Sequence, residues 1–172
     1  MIQASAPLIL TAELPLDLFS WATQLRTEHF PPERNYLKAH VTLFHALPHF
    51  VDGELRELLG RITASTPPVP ARLEGVMGLG SGTALRLTSP AMLGLRGEIA
   101  EHFTGILTGQ DSHPPRLHIT VQNKVTPAAA KALQARLGLI VEPREFAFTG
   151  LALHRYLSGP WEGLGKWPFR GR

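Results

Sequence analysis

The strongest constraint on this chain is a short pattern written twice. Leu37-Lys38-Ala39-His40-Val41-Thr42-Leu43-Phe44 is echoed by Arg116-Leu117-His118-Ile119-Thr120-Val121-Gln122, with the two histidines 78 residues apart. Both runs are rich in apolar and β-branched residues, the composition of a strand. Strand side chains alternate between faces, so residues two apart share one. Lys38, His40 and Thr42 are therefore expected on one face of a first strand, and Arg116, His118 and Thr120 on one face of a second. A cation, an imidazole and a hydroxyl in line, in two copies, read as two halves of one site.

The surrounding elements repeat in the same order. Pro7–Glu13 predicts a strand, and Pro15 opens a helix with Leu18, Trp21, Ala22 and Leu25 at helical spacing, ended by Pro31-Pro32. The His40 strand follows, then a helix N-capped by Asp52 with Leu55, Leu58, Leu59 and Ile62 on one side. The proline-rich run Thr66–Pro70 predicts a loop between halves. In the second half, strands are expected over Arg72–Val76 and Thr83–Leu87 around a glycine-rich turn. Ser89-Pro90 starts a helix with the stripe Met92, Leu95, Ile99, Phe103 and Ile106, and the His118 strand comes next. Thr126-Pro127 caps a last helix ending at Gly138, and strands over Arg144–Phe148 and Leu151–Leu157 close the chain. Hairpins mixed with helices predict an α+β fold. We expect one bilobal domain over 1–172, its lobes roughly 1–66 plus the chain-end strands, and 71–150. Each lobe reads strand-helix-strand-helix-strand, with antiparallel-type sheets around a central cleft onto which both motif strands open.

The absence of cysteine among 172 residues removes disulfides, thiolate metal sites and a cysteine nucleophile. It fits a reducing compartment, and a cytoplasmic location is the expectation. The apolar run Ala6–Ala12 has no basic flank before it, so neither a signal peptide nor a membrane span is expected. Charge is unevenly spread: residues 1–112 hold 8 Lys and Arg against 11 Asp and Glu, whereas residues 113–172 hold 9 against 3. Thirteen of the 17 cations are arginine, whose planar fork suits phosphate.

Two imidazoles facing one pocket can act as general base and general acid, because an unperturbed pKa near ~6.5 lets one be neutral while the other is protonated. Hydroxyls and cations beside them can hold phosphodiester oxygens as charge develops. His40-Val41-Thr42-Leu43 and His118-Ile119-Thr120-Val121 both fit a His-x-Thr/Ser-x signature with apolar x, and here the chain resembles the 2H phosphoesterase superfamily. That group includes the RNA 2′,5′-ligase and 2′,3′-cyclic phosphodiesterase-like proteins. The resemblance implies a pseudo-symmetric bilobal fold and chemistry on 2′,3′-cyclic or 2′–5′ phosphodiesters of RNA ends or nucleotides, with no metal or other cofactor. It implies that His40 and His118 are the acid/base pair and that Thr42 and Thr120 hold the phosphate. The expected partner is an RNA terminus or cyclic nucleotide, with no membrane, no obligate protein partner and a monomeric chain.

Arg116 is a further candidate for phosphate binding, and Lys38, Tyr36, His154 and Tyr156 are candidates for substrate contact. The plainer reading of each is a solvated strand end, packing or a structural hydrogen bond. His45 falls on the opposite strand face from His40, and His29, His49, His102 and His113 read as bystanders. Three competing readings remain: two structural core histidines, a metal site from His40, His45, His118 and a carboxylate, and a non-catalytic RNA-end or nucleotide binder.

Overall fold

The computed structural model describes residues 5–172; residues 1–4, counted above in the first lobe, lie outside the described residues. The described chain runs β1 (Leu8–Glu13), α1 (Leu16–His29), β2 (Val41–Leu47), α2 (Asp52–Ser65), β3 (Val69–Gly78), β4 (Thr83–Thr88) and α3 (Pro90–His102). It continues β5 (His118–Gln122), α4 (Pro127–Ile140), β6 (Arg144–Phe148), β7 (Gly150–Tyr156) and β8 (Trp161–Pro168). Eight strands form two antiparallel four-stranded sheets, ordered β2-β1-β7-β8 and β5-β4-β3-β6. The fold is α+β and pseudo-symmetric, as the element order predicts. Both motif strands, β2 and β5, are edge strands, each in its own sheet.

Burial explains the placement. In β1, an interior strand paired with β2 and β7, the residues Leu8 to Ala12 are buried without interruption, so both of its faces are covered. One continuous apolar core joins the lobes, with Leu10, Val41, Leu43, Phe44, Leu85, Ile119, Val121 and Leu153 all inaccessible. Helix α2 packs on β7 and β8, helices α3 and α4 pack on β3, and α1 crosses to pack on β5 of the other sheet.

Several local expectations are corrected. Asp52 does not cap α2; it is the first helical residue after a short 3-10 turn, and its carboxylate accepts from Arg56 Nε at 2.7 Å. Helix α3 ends at His102, so Phe103 is buried at its cap while Ile106 lies beyond the helix and is 41% exposed. Helix α4 runs through Gly138 to Ile140 because nothing crowds that glycine or forces it left-handed. Strand β3 begins inside the proline-rich run, at Val69. Pro70 is tolerated because only β6 pairs with that end of β3, and its carbonyl accepts from Ser89 Oγ at 2.7 Å. The largest omission is β8, whose sequence Trp-Glu-Gly-Leu-Gly-Lys-Trp-Pro has neither a continuous apolar run nor a strong β-former series. It is held by pairing with β7 over its whole length.

Candidate active site

Each motif histidine is fixed by the same local device. The Nδ1–H of His40 donates to the Lys38 carbonyl at 2.8 Å, and that of His118 donates to the Arg116 carbonyl at 2.6 Å. A carbonyl only accepts, so these bonds select the tautomer that leaves Nε2 of each neutral ring free. His118 opens β5, whereas His40 sits one residue ahead of β2, so Tyr36 and Lys38 lie in the preceding loop rather than on the strand.

Both motif strands also carry a bulge at the same place. In β2 the register steps from Leu10↔Phe44 to Thr11↔Thr42, leaving Leu43 as the extra residue. In β5 it steps from Thr83↔Gln122 to Ala84↔Thr120, leaving Val121 as the extra residue. A bulge bends its strand, re-aims side chains and shifts the alternation by one. That shift corrects the reading of His45. Strict alternation would turn it away from Thr42, but after the bulge at Leu43 it lines the same cavity as Thr42. Its Nδ1 lies 3.5 Å from Asp111 Oδ1.

Backbone groups freed at these bulged edges need partners, since buried carbonyls are rarely left unpaired. Two buried arginines supply them, each reaching from one lobe's helix to the other lobe's motif strand. Arg26 of α1 donates through Nη1 to the Thr120 carbonyl at 2.8 Å and through Nε to the Leu37 carbonyl at 3.0 Å. Arg96 of α3 donates through Nε to the Leu43 carbonyl at 3.1 Å and through Nη2 to the Asp111 carbonyl. Their guanidinium groups lie 4.3 Å from the Phe30 ring centroid and 4.1 Å from that of Phe44, respectively. The Asp111 carboxylate completes the bracing by accepting from the backbone N–H of His45 at 2.9 Å and of Ala46 at 2.8 Å. Burial alone would raise the Asp111 pKa, but the hydrogen bonds from His45 and Ala46 hold it below the usual carboxylate value.

Two cavities of ≈ 260 Å³ each take one motif histidine. The first holds His40 with Thr11, Tyr36, Lys38, His154 and Trp161. The second holds His118 with Thr42, Arg116, His45, Asp111 and His113. Thr42 of one motif thus shares a wall with His118 of the other, although β2 and β5 belong to different sheets. Thr120 is half-buried and does not line these two cavities, and Tyr156 is exposed outside them. His154 lies inside, its Nε2 2.9 Å from the buried Thr11 hydroxyl and its ring 5.1 Å from Trp161. Trp161 also tilts against His40, with ring centroids 4.7 Å apart. Burial pushes the His40 pKa down to about 4, with the charges of Arg26, His154 and His118 adding to the effect and the Lys38 carbonyl opposing it. Burial lowers the His154 pKa as well.

Thr11, Trp161 and the two arginines were not singled out by the sequence. Trp161 lies past the last strand expected there, and Arg26 and Arg96 look like ordinary helix-surface cations. Of the expected bystanders, His113 lines the His118 cavity, His102 pairs with Glu54 at 2.8 Å, and His29 lies 3.6 Å from Glu28. Among the described residues no group of three or more His, Asp or Glu is placed to hold a metal ion, so the proposed His40–His45–His118 metal set is not assembled. Nor is any described helix long and apolar enough to cross a membrane.

The neutrality of His40 has a measurable consequence. In the free protein its ring should titrate near pH 4 by ¹H–¹³C NMR, and an anion bound beside it would move the midpoint upward, because an adjacent negative charge favours imidazolium. The unfolded chain binds this proton near ~6.5, so stability should fall as pH drops from there toward 4, and His40→Gln should flatten that slope. A free-protein midpoint of 6–7 would contradict the burial described for the ring.

The family model of the 2′-5′ RNA ligase superfamily matches residues 14–160. The fold is shared with TT0787 of Thermus thermophilus at a TM-score of 0.68 and 20% identity, covering 96% of this chain and 99% of that one. E. coli LigT complexed with 3′-AMP matches at a TM-score of 0.65 and 19% identity, covering 96% and 98%. LigT complexed with NADP+ matches at 0.64 and 19%, covering 96% and 99%. No curated protein matches the chain significantly.

Proposed function

The chain belongs to the 2′-5′ RNA ligase superfamily, that is, to the 2H phosphoesterases, and from that premise we propose that it is a metal-independent phosphodiesterase acting on 2′,3′-cyclic or 2′–5′ phosphodiesters of RNA ends or nucleotides. The observation that carries this reading is the matched pair of histidines, each with Nδ1–H tied to the carbonyl two residues before it and Nε2 left free. A purely structural histidine has no need of that duplication. The capture of LigT with 3′-AMP and NADP+ supports a nucleotide ligand.

In the hydrolytic direction, His40 enters neutral and takes a proton from water through Nε2 as the water oxygen bonds to phosphorus. The bond from phosphorus to one ribose oxygen breaks, and His118 delivers a proton to that oxygen. The product is a phosphomonoester, with the other ribose oxygen retained. Thr42 and Arg116, which line the His118 cavity, serve the non-bridging oxygens, whose charge grows in the transition state, while Thr120 lies outside both cavities with its carbonyl held by Arg26. With the 5′-hydroxyl of a second RNA end in place of water, the same step forms a 2′–5′ phosphodiester as the bond from phosphorus to the 3′ ribose oxygen breaks. With the histidine roles exchanged, its reverse cleaves that linkage back to a cyclic phosphate and a free 5′-hydroxyl. Trp161 and Tyr36, beside His40, offer faces for a base.

The test is turnover of a 2′,3′-cyclic-phosphate-ended oligoribonucleotide, and of 2′,3′-cyclic nucleotides, in EDTA. Undiminished turnover is expected. No turnover on any cyclic or 2′–5′ substrate, with RNA-end binding intact, would replace the enzyme by a binding protein of the same fold.

A further inference from the structure

The site does not end at His118. Arg86 of β4 is the register partner of His118, so the two side chains share the cleft face of their sheet. Arg116 lies two residues before His118, and both arginines are exposed. Among the described residues neither is salt-bridged, unlike the exposed Arg72 and Arg144. Arg34, Arg61 and Arg136 are unbridged too, and what sets Arg86 and Arg116 apart is that two such guanidinium groups line one groove. The two line a groove of ≈ 590 Å³ with an apolar floor that includes Met77, Leu87 and Leu93. That groove shares Met77, Pro115 and Arg116 with the His118 cavity, so the surfaces are continuous. The other lobe differs: beside His40, Glu13 and Lys166 neutralise each other at 3.2 Å.

We propose that the Arg86–Arg116 groove is a second nucleotide subsite, holding the next residue of a ribonucleotide chain whose terminal phosphate lies between His40 and His118. The inference rests on the phosphodiesterase reading and deepens it. Two unpaired guanidinium groups suit the bridging phosphate of such a chain, and an arginine plane over an apolar floor suits its base. The volume lies within the range of small-ligand sites. The chain is thereby a reader of RNA ends, which prefers an oligonucleotide to a cyclic mononucleotide.

Binding tests this independently of turnover. Dissociation constants would be measured for a mononucleotide 3′-phosphate and a trinucleotide 3′-phosphate, on wild type, Arg86→Gln and the groove-rim variant Thr88→Glu, over a salt series. The trinucleotide is expected to bind at least ~10-fold tighter, and each variant to erase most of that gap while moving mononucleotide affinity less. Loss of the Arg86 charge should also lower the salt slope for the trinucleotide by about 0.7. Equal affinities in wild type, or equal weakening of both ligands in the variants, would overturn the subsite. So would displacement of the trinucleotide by an acidic peptide at matched charge, which would mean a general anion surface. Catalytic silence together with a retained length preference would sink the enzyme reading while leaving this one standing.

Discussion

Alanine at His40 or at His118 is expected to cut turnover of a cyclic phosphate end by about 10²–10⁴ in each case, since each removes one proton-transfer role. Affinity for a 3′-phosphate product should change far less, because Thr42 and Arg116 remain beside the site. The double variant should lose little more than the worse single one, since residues that act as a unit are not additive. A steady-state comparison on one oligoribonucleotide, with product binding measured alongside, reads both quantities. The alternative pattern is equally plain. If both variants keep turnover, the paired imidazoles are structural; if both lose affinity in step with turnover, they bind and do not transfer protons. Each ring is tied through its own Nδ1 to the carbonyl two residues before it, so alanine removes a side chain without unpicking the other lobe.

Arg26 should matter as much for stability as the histidines do for turnover. It is 2% exposed, and its guanidinium joins α1 to the Leu37 carbonyl ahead of one motif and the Thr120 carbonyl within the other. Burial lowers its pKa only to about 10, so it stays charged at neutral pH. Arg26→Met keeps most of the apolar volume and strands two carbonyls, which should cost about 2–4 kcal/mol in denaturant unfolding. Arg26→Lys keeps the charge and loses the fork. That variant should fold, and kcat should fall by ~10–100-fold with KM little changed, because a small displacement of Thr120 and His118 spoils alignment more than binding. A fall in KM and kcat together, or no change in either, would show that the cross-lobe contact does not position the motif. Arg96, with its reciprocal bond to Leu43, is the natural control, since its loss should act on the His40 strand instead.

The outline of the fold was legible for reasons that are local. Prolines and capping residues at Ser89-Pro90 and Thr126-Pro127 start helices wherever the rest of the chain lies, and both side chains do cap. Apolar runs such as Leu8–Ala12 and Ile119–Val121 are strands because only sheet burial satisfies them. The lapses share the opposite cause. Strand β8 exists because β7 offers it a hydrogen-bonding edge, and Trp161 reaches the cleft only through that pairing. Strict alternation puts His45 on the wrong face because a bulge is a property of two strands in register. Nothing in Thr83–Thr88 taken alone tells Arg86 from a solvated cation; its meaning comes from standing opposite His118.

Determined by the sequence itself, then, are two strand-forming runs, each carrying an imidazole and a hydroxyl two residues apart, and the helices and strands around them. The chain's local preferences suffice for that, since spacing, caps and apolar period act within a few residues. Tertiary structure alone decided that Thr42 shares a cavity with His118, that desolvation in its pocket lowers the pKa of His40, and that Arg26 and Arg96 cross between lobes to hold two unpaired edges in place. Desolvation, bulge geometry and long-range hydrogen bonds are properties of what surrounds a residue, and that surrounding comes into being only when distant parts of the chain have packed.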